Sequence, residues 1–215
     1  MQILTRGGTA EYVEKRSRFI ATLIPVTSEE EAQAQIDALK KKYYDARHNC
    51  YAYIVFSEDK KDVIERSSDD GEPSGTAGRP MLDILSGNQI VNILAVVTRY
   101  FGGTLLGSGG LVRAYSTAVK DALDNSDLTA VSRGQRLVLK LDYTNLGSVQ
   151  YKMRECRVSE LSGDYGNCVT LNLVVPEEEV QKFKKELTTL FAGKEDVEDL
   201  GSVTYGQSGG EVFLL

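Results

Sequence analysis

Tryptophan is absent from this 215-residue chain, histidine occurs once, proline four times and cysteine three times. Each shortage closes off a kind of chemistry. With a lone histidine, His48, a cysteine/histidine zinc centre is not expected. The cysteines Cys50, Cys156 and Cys168 are odd in number and lack CxxC spacing, which fits a reducing compartment better than a disulfide framework. No apolar run reaches the roughly 18 residues of a membrane span. The N-terminal stretch carries Arg6, Glu11, Glu14, Lys15, Arg16 and Arg18, leaving no apolar core for a secretory leader. A cytoplasmic location without membrane contact is therefore expected. Positive charge is also in short supply, since the formal net charge is −6. Bulk electrostatic gripping of nucleic acid, which depends on neutralising phosphates with lysine and arginine, is excluded by that balance. Any RNA contact has to be a local patch.

What remains is an ordinary globular composition, 41 % hydrophobic and 26 % charged, with 11 Tyr and 6 Phe supplying the aromatic bulk. The pattern predicts an α+β chain of two domains, residues 1–130 and 131–210, with a tail at 211–215. Residues 10–26 read as one or two strands. SEEEAQAQIDALKKKY, from Ser28, carries a serine N-cap, Glu31 at the capping-box position and apolar Ala32, Ile36 and Leu39 at helical spacing. Strands at 48–56 and 61–67 form a hairpin around 57–60, and a polar Gly/Pro-rich loop follows. A short helix at 80–85, a buried strand at 93–97 and a helix at 108–124 complete this half. The segment 125–135 has no periodicity and is read as the junction. Beyond it, strand, helix, strand, strand, helix and strand follow in the split-βαβ, ferredoxin-like order. Gly206–Gly210 suggests a mobile end, unless Val212, Phe213 and Leu214 dock onto the body.

Nine of the 20 glycines fall between Gly71 and Gly110. The densest part is the turn Gly102, Gly103, Gly107, Ser108, Gly109, Gly110, which leads from the 93–97 strand into a helix. Free N–H groups at such a helix start attract an anion, so a phosphate or carboxylate ligand is one reading. Close packing of helix on sheet is the other. Arg99 and Arg113 flank the turn and favour contact, since guanidinium forks bind phosphate or carboxylate. Gly102 and Gly107 have P-loop spacing but no Lys-Ser or Lys-Thr follows, and Val112 stands where a dinucleotide fingerprint needs its third glycine. No cofactor is expected. In the preceding loop Asp69, Asp70 and Glu72 either hold Mg²⁺ or cap the turn and meet Arg79. His48 and Cys50 share a strand face, which permits a nucleophilic pair but equally a packed, hydrogen-bonded histidine. No complete catalytic set is present, and no metal site is expected.

Three stretches carry a resemblance: RSRFIA at 16–21, SDDGEPSGTAGRPML at 68–82 and VVTRYFGGTLLGSGGLVRAY at 96–115, with ARHNCYAY at 46–53 in support. Together they resemble the IMPACT family, including its bacterial YigZ-type members. The resemblance implies an N-terminal domain of the ribosomal protein S five domain-two-like fold, shared with GHMP-type kinases, and a ferredoxin-like C-terminal domain similar to one in elongation factor G. Eukaryotic members restrain a starvation kinase that phosphorylates a translation initiation factor, by competing for its activator. The expected function is therefore non-catalytic binding of a translation factor, the ribosome or structured RNA, in translation regulation or a stress response. The candidate surface comprises His48, Asp69, Asp70, Glu72, Arg79, Arg99, Tyr100, the turn glycines with Ser108, and Arg113. An enzyme or sensor for a phosphorylated or carboxylated small molecule is the competing expectation. A concave pocket where His48 and a carboxylate converge favours the enzyme, and a flat face of Arg99, Tyr100, Phe101 and Arg113 favours a macromolecule.

Overall fold

The computed structural model describes residues 1–57, 62–194, 196–208 and 211–215, in two compact units, Met1–Thr129 and Ala130–Leu215. The first unit is built on a five-stranded sheet. Its strands are β2 (Thr9–Glu14), β3 (Ser17–Pro25), β4 (His48–Phe56), β5 (Val63–Ser68) and β7 (Ile93–Tyr100), in the order β2-β3-β7-β4-β5. Every neighbouring pair is antiparallel. Strand β7 is central and buried on both faces, which is why its sequence is apolar without alternation. A further pair, β1 (Gln2–Arg6) and β6 (Ile90–Val91), runs parallel. The turn proposed for the β4–β5 hairpin has residues 58–61 outside the described set.

Helix α1 (Glu29–Lys42) begins as its sequence demands. Ser28 Oγ accepts the Glu31 N–H at 3.2 Å, while Glu31 Oε2 reaches back to the N–H of Thr27, one residue earlier than in the usual capping box. Its buried Ala32, Ile36 and Leu39 pack on Tyr53, Val55, Leu94 and Val96, one face of the sheet. Helices α2 (Gly78–Gly87) and α3 (Ser108–Asp124) lie over the other face, where the α3 ring of Tyr115 meets Phe19 edge-on at 5.1 Å. Alternation along the strands sends Cys50, Ala52, Ala95 and Val97 to this second side.

In the second unit the order is β8 (Asp127–Leu141, entering from the first), α4 (Tyr143–Glu155), β9 (Ser159–Tyr165), β10 (Val169–Pro176), α5 (Val180–Leu190) and β11 (Asp196–Ser208). Antiparallel pairing in the order β11-β8-β10-β9 makes it ferredoxin-like, as the sequence pattern predicts. The helices cover Leu137, Leu139, Leu171 and Leu173 with Val149, Phe183 and Leu187. One expectation fails here, and one alternative is decided. Residues 127–135 are not irregular but open the long strand β8, whose alternating burial is masked in sequence by polar residues on its exposed side. The end of the chain is not loose either, because β12 (Glu211–Leu214) pairs with β11, setting Leu214 opposite Tyr205 and Phe213 opposite Gly206.

Candidate functional site

Register builds the site. Phe19 of β3 and His48 of β4 both stand opposite Arg99 of β7, so one lateral row across the sheet reads Phe19, Arg99, His48 on the face beneath α3. Arg99 is only 5 % exposed. Its guanidinium lies 5.3 Å from the Phe19 ring centre and 5.7 Å from that of Phe101. Nη1 donates to Glu72 Oε1 at 2.5 Å and Nη2 reaches Ser17 Oγ at 3.5 Å, while the buried Nε has no partner among the described residues.

Glu72 is the hub. Its Oε1 also accepts the Tyr115 hydroxyl at 2.9 Å, and that oxygen in turn accepts Cys50 Sγ at 3.3 Å. Its Oε2 lies 3.9 Å from His48 Nε2. The His48 Nδ1 is 2.8 Å from the Asp70 carbonyl. A carbonyl only accepts, so Nδ1 carries hydrogen and the ring turns its other nitrogen, Nε2, toward Glu72.

The loop that delivers Glu72 is fixed by its two aspartates. Asp69 accepts the N–H groups of Gly75, Ala77 and Gly78, which anchors the start of α2. Asp70 bridges Lys40 Nζ and the Asn49 N–H, each at 2.7 Å. Burial pushes both carboxyls upward, and these partners overcome it, holding both below the usual carboxylate range. Burial pushes the Cys50 thiol up to about 12. The Cys50 S–H is directed at the Asp69 carbonyl and the Tyr115 hydroxyl oxygen rather than at His48, so no thiol–imidazole pair forms.

Above this network lies a concavity of about 330 Å³, at the small end of the roughly 300–1,000 Å³ of ligand sites. Arg47, His48, Glu72 and Arg99 line its floor and side, and Phe101, Leu105, Leu106 and Leu111 line the rest. Gly107 and Ser108 contribute the head of α3. Gly107 has φ 74°, a left-handed conformation that glycine adopts without strain, and no side chain caps the helix. Its first helical hydrogen bond runs from Leu111 N to Gly107 O at 2.9 Å, so the N–H groups of Ser108, Gly109 and Gly110 precede the ladder. Gly102 is required for packing: a Cβ there would stand 2.1 Å from the Arg16 backbone carbon.

The expected residues thus divide. His48, Glu72, Arg99, Gly107 and Ser108 converge on the cavity, and Asp69 and Asp70 support it through the backbone. Arg79 is exposed and pairs with Asp83 on α2. Tyr100 alternates to the opposite sheet face, where it donates to Asp45 at 2.9 Å. Arg113 is exposed, near enough to Tyr12 for its charge to act on that phenol. It follows Leu111 by two positions, about 200° around a helix, and therefore points away from the face that packs on the sheet. The flat face of Arg99, Tyr100, Phe101 and Arg113 is not assembled. Arg47, Leu105, Leu106 and Tyr115 were not expected. Arg47 stands directly before His48, a strand-entry position that could have flagged it. Among the described residues no three His, Cys, Asp or Glu side chains come close enough to hold a metal, and no helix is long and apolar enough to cross a membrane.

A three-layer α/β unit with a glycine-built concavity, followed by a ferredoxin-like unit, defines a two-domain protein class with a recognisable family. The Impact N-terminal domain matches residues 15–123, and a domain of unknown function (DUF1949) matches residues 139–194. The chain belongs to the IMPACT family. It is 39 % identical over 199 residues to IMPACT family member YvyE of Bacillus subtilis (strain 168), covering 93 % of this chain and 90 % of that protein. Identity to IMPACT family member YigZ of Escherichia coli (strain K12) is 36 % over 179 residues, 83 % of this chain and 87 % of that one. A crystal structure of a hypothetical protein, 34 % identical, superposes with a TM-score of 0.57 over 91 % of this chain and 95 % of its own.

Proposed function

We propose that this chain is a binding protein with a regulatory role connected to translation, and that the concavity at the head of α3 is its recognition element. Family membership supports the translation side of this reading, since the resemblance implies that role for eukaryotic members. The observation that carries the rest is the uncapped start of α3 in a cavity that Arg47 also lines. Unsatisfied N–H groups at a helix start, carrying roughly half a positive charge, receive an anionic group from a ligand or partner. Structured RNA is less well served as that partner, because Arg99 is already paired with Glu72 and Arg47 is left as the exposed arginine of the cavity.

The test is co-migration of the chain with ribosomal and translation-factor fractions of a cell lysate, wild type against Arg47→Gln. Association present in the wild type and lost in the variant is the expected result. Association that ignores Arg47, or none at all, removes this reading.

A second reading has its own observation. His48 Nε2 and Glu72 Oε2 converge at 3.9 Å inside a concave site, an arrangement suited to proton transfer on a carboxylated or phosphorylated small molecule. Turnover of such a compound that disappears in His48→Gln, with the fold intact, would establish it.

A further inference from the structure

Three walls of the cavity differ in what they ask of a ligand. The first is electropositive. Arg47 is exposed, lies 5.9 Å from the Phe101 ring centre, and pairs with no carboxylate among the described residues. It lines the same cavity as Gly107 and Ser108 at the uncapped head of α3. The second wall accepts hydrogen bonds. With Nδ1 committed to the Asp70 carbonyl, the neutral form of His48 offers a lone pair at Nε2, beside the acceptor Glu72 Oε2. A fully ionised phosphate, which is all acceptor, gains nothing from those two atoms. The third wall is aliphatic and aromatic. Leu105 is 82 % exposed and Phe101 41 % exposed, so apolar surface at the rim is left uncovered.

Beneath these walls sits Arg99, which lines the cavity, is more than nine-tenths buried, and retains an unpartnered Nε. Its charge is matched by Glu72, so the ion pair adds no net charge and leaves Arg47 as the lining cation available to an anion.

We propose that the cavity binds the α-carboxylate, the adjoining N–H and the apolar side chain of a hydrophobic amino acid, free or as the last residue of a peptide. The carboxylate meets Arg47 and the head of α3. The N–H donates toward His48 Nε2 and Glu72 Oε2. The side chain lies on Leu105, Leu106 and Phe101. This assignment rests on reading the concavity as the recognition element, and specifies what is recognised there.

The experiment is an amide NMR titration of the full chain with four probes: N-acetyl-L-leucine, L-leucine, N-acetyl-L-leucinamide and inorganic phosphate. Saturable shifts at Ser108, Gly109 and Gly110 are expected with N-acetyl-L-leucine or L-leucine, and the tighter of the two identifies a peptide end or a free amino acid. The amide, which lacks the charge, should not saturate. Arg47→Gln should weaken binding by about tenfold or more, as loss of one hydrogen bond to a charged group does. Ser108→Pro removes one N–H at the first helical position, where proline is tolerated, and should weaken binding while the remaining spectrum reports an intact fold. Equal binding of acid and amide, saturation by phosphate alone, or no shift with any probe overturns the proposal. If Arg47→Gln abolishes co-migration with translation fractions while neither leucine probe binds, the recognition element stands and the ligand class fails. Leucine binding with co-migration indifferent to Arg47 is the opposite outcome.

Discussion

Eight polar or charged residues are buried among the described residues, and all of them, from Ser17 to Thr129, lie in Met1–Thr129. Among its described residues the unit Ala130–Leu215 buries no polar or charged side chain. Its sheet and two helices close over leucine, valine and phenylalanine, and apolar packing suffices to complete that layer architecture. A buried ion pair such as Arg99–Glu72 is not needed to hold a sheet and helices together, because desolvation offsets most of its Coulomb attraction. Comparison of the two units teaches that packing alone does not call for the polar network in the first, which is what the proposed recognition role would require of it.

Breaking the network is the largest expected effect. Glu72→Ala strands the Arg99 guanidinium in the core and should cost about 3–5 kcal/mol in urea unfolding. The double change Glu72→Leu/Arg99→Met should recover most of that loss while leaving the cavity without its hub. If Glu72→Ala unfolds at the wild-type midpoint, the contrast between the units is wrong. Leu171→Ala in the second unit should cost about 2–5 kcal/mol by leaving a void, yet leave the amide shifts of Ser108–Gly110 in the native state unchanged. Next comes Tyr115→Phe, which removes one donor from Glu72 and the acceptor of Cys50, at about 1–3 kcal/mol on the same assay.

The smallest effect is on the acid side. The folded-state carboxyls of Asp69 and Asp70 lie below their unfolded values, so their stabilisation is complete above about pH 3.9 and fades as the pH falls through the folded values. Urea midpoints measured from neutrality downward should fall there, and Asp69→Asn should flatten the fall. An unchanged acid limb in that variant would show that the loop is held by something else.

Much of the fold was legible because α1 and, beyond the opening of β8, the second unit follow single, undisturbed periods. Ala32, Ile36 and Leu39 repeat at helical spacing, and the ferredoxin-like order needs only element types in sequence. The site was half legible. Glycine density marked the head of α3, and His48, Glu72 and Arg99 were drawn from the right stretches. Their roles were obscured because a strand end at Val97 leaves Arg99 in a solvent-facing turn. In the structure β7 continues to Tyr100, pairing with Arg18 and Phe19 on one side and His48 on the other, and this extension carries Arg99 under α3. No local pattern announces a bond between residues 72 and 99; it follows from register. Arg113 was misplaced for the complementary reason, a helical phase that sequence proximity to the turn conceals.

One consequence of the thiol environments is practical. Cys50 and Cys156 are buried, and burial raises both thiols, Cys50 to about 12, so near neutrality neither presents the thiolate that attacks an electrophile. Cys168 is exposed. A maleimide dye should therefore mark the natural sequence at a single place on the ferredoxin-like unit. The resulting fluorophore could report on that unit while a ligand is titrated into the other, with no residue exchanged to make the measurement.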